Sequence, residues 1–148
     1  MIDIFLRGGP VMWPILALSL AGLATAADRF FAFRRFFADK TPRKNPQAAL
    51  NSLQRGFGFI STAITAEPLL GILGTVTGII GTFDAFGASG GGDSPLAATA
   101  GIGEALITTA AGLVAALALL FPYNMLLALL SRAAERLERD GEEAEDNA

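Results

Sequence analysis

Glu104, Thr108 and Thr109 are the first residues in this chain with chemistry to offer. Glu104 lies in a long apolar segment, with Thr108 one helical turn further on and Thr109 on the adjacent face. A carboxyl and hydroxyls then share one side of a helix. A second segment, residues 67–84, reads EPLLGILGTVTGIIGTFD and sets Thr75 and Thr82 seven positions apart, on one face. Carboxyls and hydroxyls between close helices suit the passage of a proton or a small cation. The chain has no Cys and no His, which removes disulfides, thiolates and the usual imidazole base or ligand. With no activated nucleophile, phosphate loop or metal cluster, neither an enzyme nor a cofactor is expected. The competing reading of each threonine is a hydroxyl bonded back to the carbonyl four residues earlier. Glu67 and Asp84, seventeen positions or about 25 Å of helix apart, suit opposite membrane faces, where each would cap an interface.

Small residues must bring these groups together. Gly71, Gly74, Gly78 and Gly81 recur at spacings of three, four and three, and Gly74 with Gly78 forms a GxxxG pattern. Gly101, Ala105, Thr108, Gly112 and Ala115 repeat at four, three, four and three in the later segment. Two such stripes let two helices pack closely.

The whole chain suits a membrane. It has 148 residues, 52% of them hydrophobic and 17% charged, with a mean hydropathy of +0.49. Residues 8–27 carry no charge, and twenty residues of helix span about 30 Å. Pro10 and Pro14 fall in the first turns of that helix, where a missing donor is tolerated. A secretory signal peptide is the alternative, because Ala24-Thr25-Ala26 resembles a cleavage site. Arg29, Arg34 and Arg35 follow at once and resist translocation. The phenylalanines among them, Phe30, Phe31, Phe33, Phe36 and Phe37, make an interfacial collar rather than a nucleic-acid surface.

These patterns predict an all-α integral membrane protein forming one domain with three transmembrane helices. The first helix covers about residues 8–36 and a short cytoplasmic connection about 37–56, with one helical turn near 48–53. The second helix covers about 57–86, an exterior hairpin 87–94, the third helix about 95–139, and a disordered acidic tail 140–148. The second and third helices are longer than a bilayer needs. Ten of the eleven basic residues fall in the segments assigned to the cytoplasm, so the N-terminus is outside and the C-terminus inside.

The segments GGPVMWPILALSLAGL with DRFFAFRR, EPLLGILGTVTGIIGTF, and GIGEALITTAAGLVAAL with Tyr123-Asn124 resemble the MotA/TolQ/ExbB proton-channel family, most closely a short ExbB. The resemblance implies a bacterial inner-membrane protein that forms a ring, usually of five copies. The second and third helices of each copy would line an oligomeric pore around an ExbD-like single-span partner carrying the proton-binding Asp. By resemblance Thr75 and Thr109 face that pore and Glu104 is the carboxylate of the GIxEAL motif. Thr108, Thr82, Gly74, Gly78 and Gly112 are secondary pore or packing candidates. The family couples the proton-motive force to outer-membrane transport through a TonB-like protein, or to the envelope in the TolQ branch. A three-helix scaffold without conduction is the reading from another class. Three departures stand out: a shorter cytoplasmic connection, Pro122 where the family's proline aligns with Ala118, and Thr77 where ExbB and TolQ relatives often carry Trp.

Overall fold

The computed structural model describes residues 9–39, 46–88 and 95–146. Four helices account for nearly all of them: α1 (Met12–Ala38), α2 (Pro46–Gln54), α3 (Phe57–Ala88) and α4 (Pro95–Asp146). The fold is all-helical, and α1, α3 and α4 are each long and apolar enough to cross a membrane. The lead before Gly9 and most of the expected hairpin, residues 89–94, lie outside the described residues.

Local chemistry sets the ends of these helices. Pro14 occupies the third position of α1, where no backbone N–H is required for an intrahelical bond. The α1 helix closes at Asp39, whose N–H donates to Arg35 O at 3.2 Å while its own backbone turns extended. The expected helical turn in the connection is a full nine-residue helix, α2. Gly56 then adopts a φ of +85° in the turn that leads into α3. A Cβ there would also come within 2.7 Å of Thr25 Cγ2, so the turn is tucked against α1. Both α3 and α4 continue as helix through their internal prolines, Pro68 and Pro122.

The expected disordered tail is instead a continuation of α4 through Asp146. Glu142, Glu143, Ala144 and Glu145 are good helix formers, which offsets the poor propensity of Gly141. Arg136 and Asp140 pair one turn apart at 3.9 Å, and Arg139 Nε donates to Glu135 O at 3.3 Å.

Packing follows two styles. At one end, Phe33, Phe36, Ala49, Leu53, Phe57, Ile60, Leu126, Ala133 and Leu137 form a buried cluster that joins all four helices. Phe33 meets Phe57 edge-on at 6.4 Å between ring centroids, and Phe57 meets Tyr123 at 5.9 Å. The expected aromatic collar is therefore split: Phe33 and Phe36 are core, while Phe31 is 58% exposed. The physical reason is helical periodicity, since positions 33 and 36 share the face turned toward α3 and α4.

Further along, α3 and α4 make the most extensive contact among the described residues, and it is built from small residues. Gly71 lies against the Thr108 and Thr109 backbone, Gly74 against Thr108, Gly78 against Ala105, and Gly112 against the Glu67 carbonyl. Gly81 does not belong to the stripe, because nothing would lie within 4 Å of a Cβ there. At about 100° per residue Gly81 falls about 80° behind Gly71, whereas Thr82 falls about 20° ahead. The contact accordingly passes to Thr82, which packs on Gly101.

A Cβ at Gly112 would sit 2.5 Å from Glu67 O and 3.1 Å from Gly71 Cα, both backbone atoms that cannot swing aside. Gly112→Ala is expected to force the helices apart at a cost of about 1–3 kcal/mol. Gly81→Ala has open space and a better helix propensity, so it should be neutral or slightly stabilising. Thermal unfolding of the two variants in detergent, followed by circular dichroism, checks the contrast.

Candidate functional site

The α3–α4 contact brings Thr75 and Thr109 together. Because Gly71 has no side chain, its carbonyl is open to the neighbouring helix, and Thr109 Oγ1 donates to it at 3.0 Å. Thr75 Oγ1 lies 3.0 Å from Thr109 Oγ1, and it also reaches Ile72 O at 2.7 Å and Gly71 O at 3.3 Å on its own helix. Two hydroxyl protons thus serve more acceptor positions than they can fill at once. The pair can exchange donors by rotating about two Cβ–Oγ bonds, a property useful wherever protons are handed on. Back-bonding explains part of Thr75 but not Thr109, whose recorded bonds cross between helices.

The other expected residues divide by exposure. Thr108 is buried at 1% exposure and presses on Gly74. Thr82 Oγ1 bonds back to Gly78 O at 2.9 Å, as the simple alternative for threonine expects. Gly74, Gly78 and Gly112 are packing positions in this contact. Glu104 is exposed, although Ala105 beside it packs on Gly78 and Thr108 one turn on is buried. The carboxyl thus stands at the exposed edge of the stripe whose next turn, Thr108, is buried.

The two bracketing acids part company. Asp84 is exposed near the C-terminal end of α3, the end at which the helix dipole disfavours a carboxylate. Glu67 lies well inside α3 and is fully buried, not at a helix end. Its Oε1 is 2.8 Å from Ser19 Oγ on α1, and its backbone carbonyl faces Gly112 on α4. Capping is excluded for this residue by its place where three helices meet. An ionised carboxylate so enclosed costs at least a few kcal/mol unless it is paired.

Sequence reasoning missed Ser19. The available signal was its being the only hydroxyl in residues 8–24. It also missed two arginine clamps. Arg136 donates to Phe37 O at 3.3 Å and Asp39 O at 2.9 Å while its guanidinium stands 5.8 Å from the Phe36 ring centre. Arg29 donates to Ser52 O at 3.1 Å, tying α1 to α2, and also pairs with Asp28.

Known proteins resemble this chain along most of its length. Residues 19–139 match the MotA/TolQ/ExbB proton channel family. A Synechocystis relative named biopolymer transport protein ExbB-like 1 is 32% identical over 197 aligned positions, covering 98% of this chain and 78% of that protein. The alignment is longer than the 148 residues here, so that relative carries inserted sequence. The biopolymer transport protein ExbB of Xanthomonas campestris is 38% identical across 62% of this chain and 36% of its own length. The Tol-Pal system protein TolQ of Haemophilus influenzae is 41% identical across 52% of this chain and 33% of its own length. With three helices able to cross a membrane, a paired threonine site between the last two, and a profile match over most of its residues, the chain belongs to the MotA/TolQ/ExbB proton channel family.

Proposed function

We propose that this chain is an ExbB-like subunit of an inner-membrane proton-channel motor, energising TonB-dependent outer-membrane transport together with an ExbD-like partner. The observation that carries the reading is the Thr75–Thr109 hydroxyl pair, 3.0 Å apart in the glycine-lined α3–α4 contact of a proton-channel family member. In the proposed assembly several copies, five by resemblance to the family, surround the single-span partner with α3 and α4. The partner supplies the proton-binding Asp and the threonines hand protons to and from it. Glu104 tunes the field or hydration along the path. The many large apolar side chains left on the surface, among them Phe121 at 75% exposure and Val114 at 66%, fit lipid and neighbouring copies.

A TolQ-like role in envelope maintenance is the second reading, favoured by the TolQ relative's 41% identity. Both readings share the threonine pair and differ in the partner that the motor drives.

Thr109→Ala should abolish or strongly reduce proton-dependent transport while the complex still assembles, and Thr109→Ser, which keeps the hydroxyl, should recover part of it. Full transport in the alanine variant overturns the proposed path and favours a scaffold. Native mass spectrometry of the detergent-purified complex gives a second check. Co-expressed with a single-span protein bearing a membrane Asp, the chain should form a ring that retains the partner. Persistent absence of the partner contradicts the motor.

A further inference from the structure

The proposed proton path makes no use of Glu67, and the hydrogen bonds around this acid do not balance for a carboxylate. Ser19 Oγ lies 2.8 Å from Ile15 O and 2.8 Å from Glu67 Oε1. A hydroxyl has one proton, and Ile15 O can only accept. Either that proton is divided between two acceptors, or Glu67 brings a proton of its own. In the second arrangement the carboxyl donates to Ser19 Oγ and Ser19 donates to Ile15 O, so both 2.8 Å contacts are complete hydrogen bonds.

The surroundings decide between the two. Glu67 is 0% exposed, and its Oε2 has no hydrogen-bond partner among the described residues. Among the described residues no cation faces it from any packed element. On α1 the nearest charged residues are Asp28 and Arg29, nine and ten positions beyond Ser19. On α4, which meets Glu67 at Gly112, the charges on either side are Glu104, eight positions away, and Arg132, twenty away. Along its own chain the neighbouring charges are Arg55 and Asp84. A carboxylate with half of one donor, no counter-ion and no access to water is among the least tolerable groups inside a membrane helix. The neutral acid leaves only a carbonyl-type oxygen unmet. Ser19 lies near the centre of the uncharged run 8–27, so the contact also sets Glu67 at mid-depth of the apolar segment.

We infer that Glu67 is a proton-binding site within the subunit, an acid that bears its proton, donates it to Ser19, and thereby pins α1 to α3. The site is separate from the Thr75–Thr109 pair, two helical turns away along α3. It needs no partner protein and stands whether or not the assembly works as a motor.

Infrared spectroscopy of the purified full chain in lipid nanodiscs at neutral pH tests it. The parent should show the carbonyl stretch of a protonated carboxylic acid, shifted down in heavy water and missing from Glu67→Gln. Ser19→Ala keeps the acid but removes its acceptor, so the band should persist and move to higher frequency. Parent and Glu67→Gln spectra that differ only in carboxylate bands overturn the proposal. So does a Ser19→Ala spectrum whose carboxylic-acid band is unmoved. Should Glu67→Gln fail to accumulate, the Ser19→Ala comparison decides alone, because it leaves Glu67 in place.

Discussion

The placement of both polar sites depends on side chains that are missing where α3 touches α4. In lipid no hydrophobic force favours one apolar helix face over another, so association rests on dispersion and on hydrogen bonds made at short range. Gly71, Gly74, Gly78 and Gly112 supply the short range. Once the two backbones are that close, Thr109 reaches a carbonyl of the other helix and comes within 3.0 Å of Thr75. The same approach sets the Glu67 carbonyl against Gly112 and leaves the Glu67 side chain directed to α1. One packing constraint therefore positions both polar sites.

The opposite end is built on another principle. There Phe33, Phe57 and Tyr123 fill the space between helices with large rings, and arginines donate to backbone carbonyls at the ends of α1 and α2. Aromatic residues with arginines suit the boundary between an apolar and a wet medium, since each has an apolar body or stem and a group that tolerates water. Moving along the bundle, contacts change from bulky and charge-assisted to small and hydroxyl-mediated. Phe30 and Pro122, lining an apolar cleft of about 280 Å³ between α1 and α4, stand near the changeover.

Much of the fold was legible because it follows from local composition. Uncharged runs marked the three long helices, and the spacing of Gly71, Gly74 and Gly78 marked the face on which α3 packs. The spacing failed at Gly81, where a count of threes and fours drifts off a face that turns with the helix. Local pattern also could not say which threonine crosses the contact. Thr108 and Thr109 are adjacent in sequence, and only the approach of Gly71 selects the hydroxyl of Thr109 for a bond between helices. The Glu67–Ser19 contact was hidden more deeply. Its partners are 48 positions apart on different helices, and the expected helix through Pro68 carries no signal of which neighbour Glu67 meets. For Glu104, spacing gave the position along the helix, and its exposure came only with the packing of Ala105 and Thr108 against α3.

The Arg136 clamp has a consequence for the order in which the protein is made. The carbonyls of Phe37 and Asp39 are translated nearly a hundred residues before the guanidinium that serves them. A nascent chain that has delivered α1, α2 and α3 still has the end of α1 without this donor, and the buried cluster beside it still lacks Leu126, Ala133 and Leu137. The last helix is thus the keystone of biogenesis: earlier spans can enter the bilayer one by one, but the bundle is locked only after the ribosome has passed Arg136.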